Sequence, residues 1–220
     1  MPRIARKIAV ACAIASLTLV SCTKKQAEAP EVDPFADMGH YEAPPKAPEA
    51  PPPPKCESFD EECTAKSNTW LKVGELAEFQ PPEAWIYAKL EEVSVAKIGS
   101  DAAIAYRVIP LPVEPKKNPN DAIAALAPIF QSMGVEVSAN TLKTAFRGKV
   151  SVDNNGPLSL DTWEIKTGGK IDGAKAYIVV VASTLGSGDG LVGAVALKES
   201  AIQAHVESII TSYRSVRSLP

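Results

Sequence analysis

The sequence predicts an α+β fold, an antiparallel sheet packed with helices, over residues 56–220 of a 220-residue chain. Three observations carry this reading. Several segments alternate apolar and polar residues, or are apolar throughout, over the length of a strand. Two longer segments repeat apolar residues at helical spacing. The strand-like segments follow one another through short turns, so that hairpins join them, interrupted by one helix and finished by another.

In chain order, "EEVSVAKIG" (91–99) and "AAIAYRVIPL" (102–111) alternate like strands, parted by Ser100 and Asp101. "NPNDAIAALAPIFQSMG" (118–134) reads as a helix: Asn118 can cap it, Pro119 suits its first turn, and Ile123, Leu126, Phe130 and Met133 line one side before Gly134. Pro128 inside that pattern predicts a kink or a shortened helix, because it removes an amide donor and crowds the preceding turn. "LSLDTWEIK" (158–166), "AKAYIVVVAS" (174–183) and "LVGAVALK" (191–198) follow as three strands. "YIVVVA" is apolar on both faces, as in a central strand covered on both sides. A closing helix from about Glu199 places Ile202, Val206, Ile209, Tyr213 and Val216 on one stripe.

"AEFQPPEAWIYAKL" (77–90) resembles the opening strand, proline and tryptophan turn of PsbP-like and DcrB-like domains, and "GLVGAVALKE" leading into "VESIITSYRSV" resembles their last strand and helix. The resemblance spans roughly residues 70–217 and implies a PsbP-like sandwich. Members of that family are mostly non-catalytic binding or assembly factors, which implies a binding module here.

The N-terminal residues have a different character. Arg3, Arg6 and Lys7 precede an uncharged run from Ile8 to Val20, the layout of a secretory signal peptide and too short for the ~20 residues of a membrane-spanning helix. The run ends in Leu19, Val20, Ser21 and Cys22, which resembles the bacterial lipobox. The resemblance implies that residues 1–21 are removed and that Cys22 carries a diacylglycerol thioether, with the new amino terminus acylated as well. Several acyl chains at ~0.8 kcal/mol per buried CH₂ make a durable anchor. Thr23 stands where an aspartate would retain the protein at a Gram-negative inner membrane, so the expected location is the cell envelope, at the outer membrane where the organism has one.

Residues 22–55 hold nine prolines between Pro30 and Pro54 with little that is large and apolar. That composition predicts a disordered, largely extended tether, or a ligand for a proline-recognising groove. Beyond it, Cys56 and Cys63 are the two cysteines left once Cys12 departs with the leader and Cys22 is lipidated. In an oxidising compartment their simplest fate is one disulfide around Glu57–Glu62. Their spacing, with no second cysteine pair or nearby histidine, does not suit a metal site.

Charge excludes some partners. Loss of the leader removes three of 23 basic residues and none of 26 acidic ones, leaving about −6, which argues against nucleic acid or an anionic lipid surface bound through bulk charge. The expected partners are the membrane, through Cys22, and an envelope protein or cell-wall component.

Catalytic motifs are fragmentary. Ser94–Lys97 ("SVAK"), Ser138–Asn140 ("SAN") and Lys166–Gly168 ("KTG") stand in the order seen in penicillin-binding proteins and serine β-lactamases, making Ser94, Lys97 and Lys166 the candidates for an envelope hydrolase acting on peptidoglycan or a peptide. That chemistry needs serine and lysine one helical turn apart, whereas a three-residue offset in a strand puts them on opposite faces. "GSGDG" (186–190) lacks the lysine and following helix of a phosphate loop and reads as a hairpin turn. "DNNG" (153–156) lacks calcium-ligand spacing and reads as a turn. His205, on the border of the last helix's stripe, reads as a partly buried structural residue. Trp70, Trp85 and Trp163 read as core, with Trp163 a candidate for a sheet edge. The sequence thus points to a non-catalytic, lipid-anchored binding or scaffolding module needing no cofactor, with the serine hydrolase as the alternative.

Overall fold

The computed structural model describes residues 54–220. The leader, Cys22 and all but the last two residues of the proline-rich segment lie outside the described residues. A 3₁₀ turn at Phe59–Glu61 opens the domain, followed by β1 (Leu71–Val73), β2 (Ala77–Phe79), β3 (Ile86–Lys89), β4 (Ser94–Ile98), β5 (Ala102–Ile109) and α1 (Pro119–Met133). Then come β6 (Val135–Val137), α2 (Ala139–Arg147), β7 (Ser151–Asp153), β8 (Leu160–Ile171), β9 (Ala174–Thr184) and β10 (Gly190–Lys198). A second 3₁₀ turn at Glu199–Ala201 leads into α3 (Ile202–Arg214) and β11 (Arg217–Ser218).

Eight strands form one antiparallel sheet in the order β3-β4-β5-β10-β9-β8-β6, with β7 also paired to β8; β1, β2 and β11 form a second, three-stranded sheet. The α+β class is therefore observed. Three hairpins build most of the large sheet, as their turns require: Gly99 and Gly173 take positive φ between β4 and β5 and between β8 and β9, and Leu185 to Asp189 closes β9 onto β10. The glycine-rich "GSGDG" segment is thus a hairpin connection.

The sheet is covered on both faces, each face by its own apolar cluster. On one side Ala103, Ala105, Ala194 and Ala196 present small side chains to Leu126, Ile129 and Phe130 of α1, so the helix can lie close to the strands. Leu142 and Phe146 of α2 continue this layer over Trp163 and Ile165. On the other side Ile104, Tyr106, Val181, Leu191 and Leu197 meet the small sheet and α3, through Phe79, Trp85 and Ile209. β9 serves both, with Ile178 and Val180 turned one way and Val179 and Val181 the other. Full burial of such aliphatic side chains stabilises the fold by ~1.5–3 kcal/mol each.

Several expectations change. Pro128 does not shorten α1, which runs through it to a left-handed cap at Gly134, φ 69°. The carbonyl deprived of its donor belongs to Ala124, on an exposed turn where water can serve it. Asn118 takes the N-cap position without a side-chain cap bond. "SAN" is not a fragment of a catalytic motif here but the start of α2: the Ser138 hydroxyl accepts from the Thr141 amide at 3.1 Å, satisfying an otherwise orphaned donor. Trp163 is not at a sheet edge. It is 3 % exposed on a strand with partners on both sides and meets Phe146 edge-on at 5.7 Å. Ile202, expected on the buried stripe, is exposed in the first turn of α3.

The Cys56–Cys63 disulfide is present, with a Cα–Cα distance of 5.7 Å. Its loop lies along the outer side of β3, where Lys89 donates to the Cys56 carbonyl at 2.7 Å and Tyr87 to that of Cys63 at 2.8 Å. Edge amides that would otherwise offer a template for further strands are thereby occupied. Among the described residues no helix is long and apolar enough to cross a membrane.

Candidate functional site: a cleft beneath the last helix

The stripe on α3 is wider than the surface it covers. Ile209 and Ser212 are buried while Ile202 and Ile210 are exposed, and between α3 and the strands β8, β9 and β10 a gap remains. The gap is a cleft of about 480 Å³, within the ~300–1,000 Å³ typical of small-molecule sites. Val179, Val195 and Leu197 supply its floor from neighbouring strands, and Val206, Ile209 and Ile210 line it from the helix. The side wall is β7, with Val152 54 % exposed; Ile210 opposite is 38 % exposed. Large apolar side chains are rarely left in water as a contiguous group, and here two of them flank the mouth of an apolar cavity.

Polar groups enter in two pairs. Tyr177 of β9 and Glu164 of β8 both line the cleft; burial first, then this carboxylate, raise the Tyr177 phenol well above its usual pKa. Glu164 is held below the ordinary carboxylate range, chiefly by Lys166, whose Nζ lies 3.1 Å away. Tyr213 of α3 and Asp153 of β7 line the cleft as well, and burial again leads the rise in the Tyr213 phenol pKa, ahead of the Asp153 carboxylate. Burial opposes the charge on Asp153, yet the Asn155 amide, the Tyr213 phenol and the Arg214 guanidinium outweigh it and bring its pKa down to about 2. Asp153 accepts from Arg214 Nε at 3.1 Å and from the backbone and side-chain nitrogens of Asn155 at 2.8 and 2.7 Å. "DNNG" is thus a turn, and its aspartate is also the clasp that joins β7 to the end of α3.

The closeness of that clasp depends on a glycine. A Cβ on Gly156 would run into the carbonyl oxygen of Arg214, so the turn can pass over the end of α3 only without one.

No family model matches the chain, and no curated protein matches it. What the cleft can do follows from its lining alone.

The hydrolase candidates are not brought together. Ser94 is buried against the small sheet, its hydroxyl donating to the Lys72 carbonyl. Lys97 emerges on the opposite face, its Nζ 3.8 Å from the centre of the Phe59 ring. Lys166 lies on β8, four strands across the sheet from β4, a separation of ~19 Å at strand spacing. "KTG" occupies the irregular stretch between Ile165 and Gly169 where the pairing of β8 with β9 shifts.

The remaining candidates have packing partners. His205 meets Trp85 edge-on at 6.0 Å, and Arg217 stacks on Trp70 with its guanidinium carbon 3.7 Å from the ring centre. Among the described residues no three His, Cys, Asp or Glu side chains are grouped so as to hold a metal ion. A larger depression of about 610 Å³ between α1, β6 and α2 is open to solvent and lacks paired polar groups of the kind found under α3.

Sequence reading missed the cleft because its parts are far apart in the chain: Asp153, Glu164, Tyr177 and Tyr213 come from four separate elements. One local signal was available. In "AYIV" Tyr177 shares a face of β9 with Val179 and Val181, putting a polar tip on an otherwise apolar face.

Proposed function

We propose that this protein is a binding or scaffolding module of the cell envelope, anchored through acyl chains on Cys22 and acting by contact without catalysis. The observation that carries the reading is the apolar cleft under α3, whose mouth is flanked by exposed Val152 and Ile210 and whose polar groups form two tyrosine–carboxylate pairs. Neither pair contains a free nucleophile or a histidine, and the described residues that would form a serine hydrolase are distributed over both sides of the sheet. A sheet covered on both faces, one of them by the last helix, also suits the PsbP-like sandwich suggested by the turn from Gln80 to Trp85.

The anchor is supported by the lipobox resemblance at Leu19–Cys22 and by the polar junction after it. On this reading the mature chain begins at Cys22, is held in the cell envelope, at the outer membrane where the organism has one, and meets an envelope protein or cell-wall component through the domain.

Metabolic labelling with a radioactive fatty acid tests the anchor: label is expected on the wild type and none on Cys22→Ser, and retained label would refute the assignment. Photo-crosslinking in intact cells from a reactive residue at position 210, compared with one at exposed Lys116, tests the contact surface. Adducts confined to position 210 are expected. Equal yields, or adducts only at 116, would refute the site. Labelling by a fluorescent β-lactam that disappears in Ser94→Ala would replace this reading with the hydrolase.

A further inference from the structure

The polar groups that line the cleft have partners within the protein where they are withdrawn from water. Both oxygens of Asp153 are engaged, Oδ1 by the two nitrogens of Asn155 at 2.8 and 2.7 Å and Oδ2 by Arg214 Nε at 3.1 Å. The Thr162 hydroxyl, buried in the cleft wall, donates to the Ser151 carbonyl at 3.0 Å. Glu164 is exposed and has Lys166 Nζ 3.1 Å from its carboxylate, so each acid of the lining carries its own cation. Tyr177 and Tyr213 are half-buried, which lets each ring pack while water serves its hydroxyl. Among the described residues the buried side-chain polar atoms without a partner are Tyr106 Oη and Trp163 Nε1, and neither residue lines the cleft. Nothing in the lining calls for a polar group inside.

The shape points the same way. The floor runs from Leu197 on β10 over Val179 on β9 and Thr162 on β8 to Val152 on β7, three strand spacings or ~14 Å. Val206, Ile209 and Ile210 of α3 form its roof, and it opens where Val152 and Ile210 are exposed. It is a long aliphatic slot with one wet end.

We infer that the cleft holds the alkyl chain of a single-chain amphiphile and leaves its head in water at the mouth, so that it selects the chain and is indifferent to the charge of the head. The inference rests on the cleft being the binding site. The chain enters past Val152 and Ile210 and lies toward Leu197, excluding water from Val179, Val195 and Val206. A head drawn in after it would lose its hydration and find the buried polar groups already partnered, which disfavours burial of any head, anionic, cationic or neutral.

The test is photolabelling of the full chain in phospholipid nanodiscs, which keep the domain free of detergent. Three matched ten-carbon probes carry a diazirine near the methyl end and finish in ammonium, hydroxyl or carboxylate, and adducts are located by mass spectrometry. All three are expected to mark the peptides holding Val179 and Val206–Ile210, with yields that agree within about threefold, and to leave the peptide holding exposed Leu111 at background. Val206→Trp, which fills the slot, should suppress the marking about tenfold. So should Ile210→Asp, which sets a charge at the mouth on an exposed position that folding tolerates. Glu164→Gln should leave the ratio of the three yields unchanged. A preference of about tenfold for one head, or a ratio that moves in Glu164→Gln, would overturn the inference while leaving the cleft as a site, because such selectivity is what a polar group read by the pocket produces. Failure of all three probes to mark these peptides, or marking at Leu111 as strong as theirs, would overturn the site as well.

Discussion

Asp153 receives the Nε hydrogen of Arg214 at 3.1 Å, and this contact between residues 61 positions apart fixes β7 against the last turn of α3. The cleft is bounded where it is because of that pair. Its carboxylate is held down to about 2 by the hydrogen bonds it accepts, so the closure responds to acid.

The folded pKa of Asp153 is about 2, below the ~3.9 of an unfolded chain. A depressed acid stabilises the fold above its unfolded pKa, and that contribution is lost as pH falls from ~4 to ~2. Asp153→Asn is therefore expected to lower stability near neutral pH by ~1.5–3 kcal/mol, the range for hydrogen bonds to charged groups. In urea titrations the gap between wild type and variant should close over that acid window. A gap that persists unchanged below pH 2 would show that the charge is not what matters.

Gly156→Ala should press the 153–159 turn away from the Arg214 carbonyl. Forcing a methyl into a closed contact costs ~1–3 kcal/mol, and thermal unfolding should report a drop of several degrees. Gly186→Ala, on a hairpin glycine with open space around its Cβ position, should change the midpoint far less.

The Tyr106 hydroxyl is buried with no partner, and burial pushes its pKa well above the usual value. The ring itself packs well, its centre 4.9 Å from that of Phe79 and its edge in the space that a Cβ on Gly193 would fill. Tyr106→Phe keeps the ring and removes the unsatisfied group, so stability should be unchanged or rise by ~1 kcal/mol. A loss of more than that in chemical unfolding would mean that the hydroxyl has a partner.

Replacing both Cys56 and Cys63 by serine should cost about 2 kcal/mol, as expected for a short closed loop. Reductant should shift the urea midpoint of the wild type and leave that of the double variant in place. A wild type indifferent to reductant would contradict this.

The architecture was legible where the periodicity was strong. β4, β5, β9 and β10 follow the alternation or the continuous apolar runs that predict them, and α1 and α3 follow their stripes. What escaped was short or shaped by partners. β1 and β11 have three and two residues, too few for a period to show, and each exists because β2 lies between them. α2 was missed: its nine residues are few for a stripe to show, and Ser138, its N-cap, stood instead in the "SAN" fragment of a catalytic motif. The cleft was illegible for a different reason: a tyrosine and a carboxylate that meet across strands leave no spacing rule in the chain, since register and helix placement bring them together.

The disulfide loop along β3 also decides how the domain bears mechanical load. A pull on the polypeptide upstream of Lys55 reaches the fold through Lys89 and Tyr87 on the outermost strand, and β9 lies four strands farther in, ~19 Å away. Tension delivered there strains the covalently closed margin first, so the cavity under α3 keeps its shape while the chain is stretched.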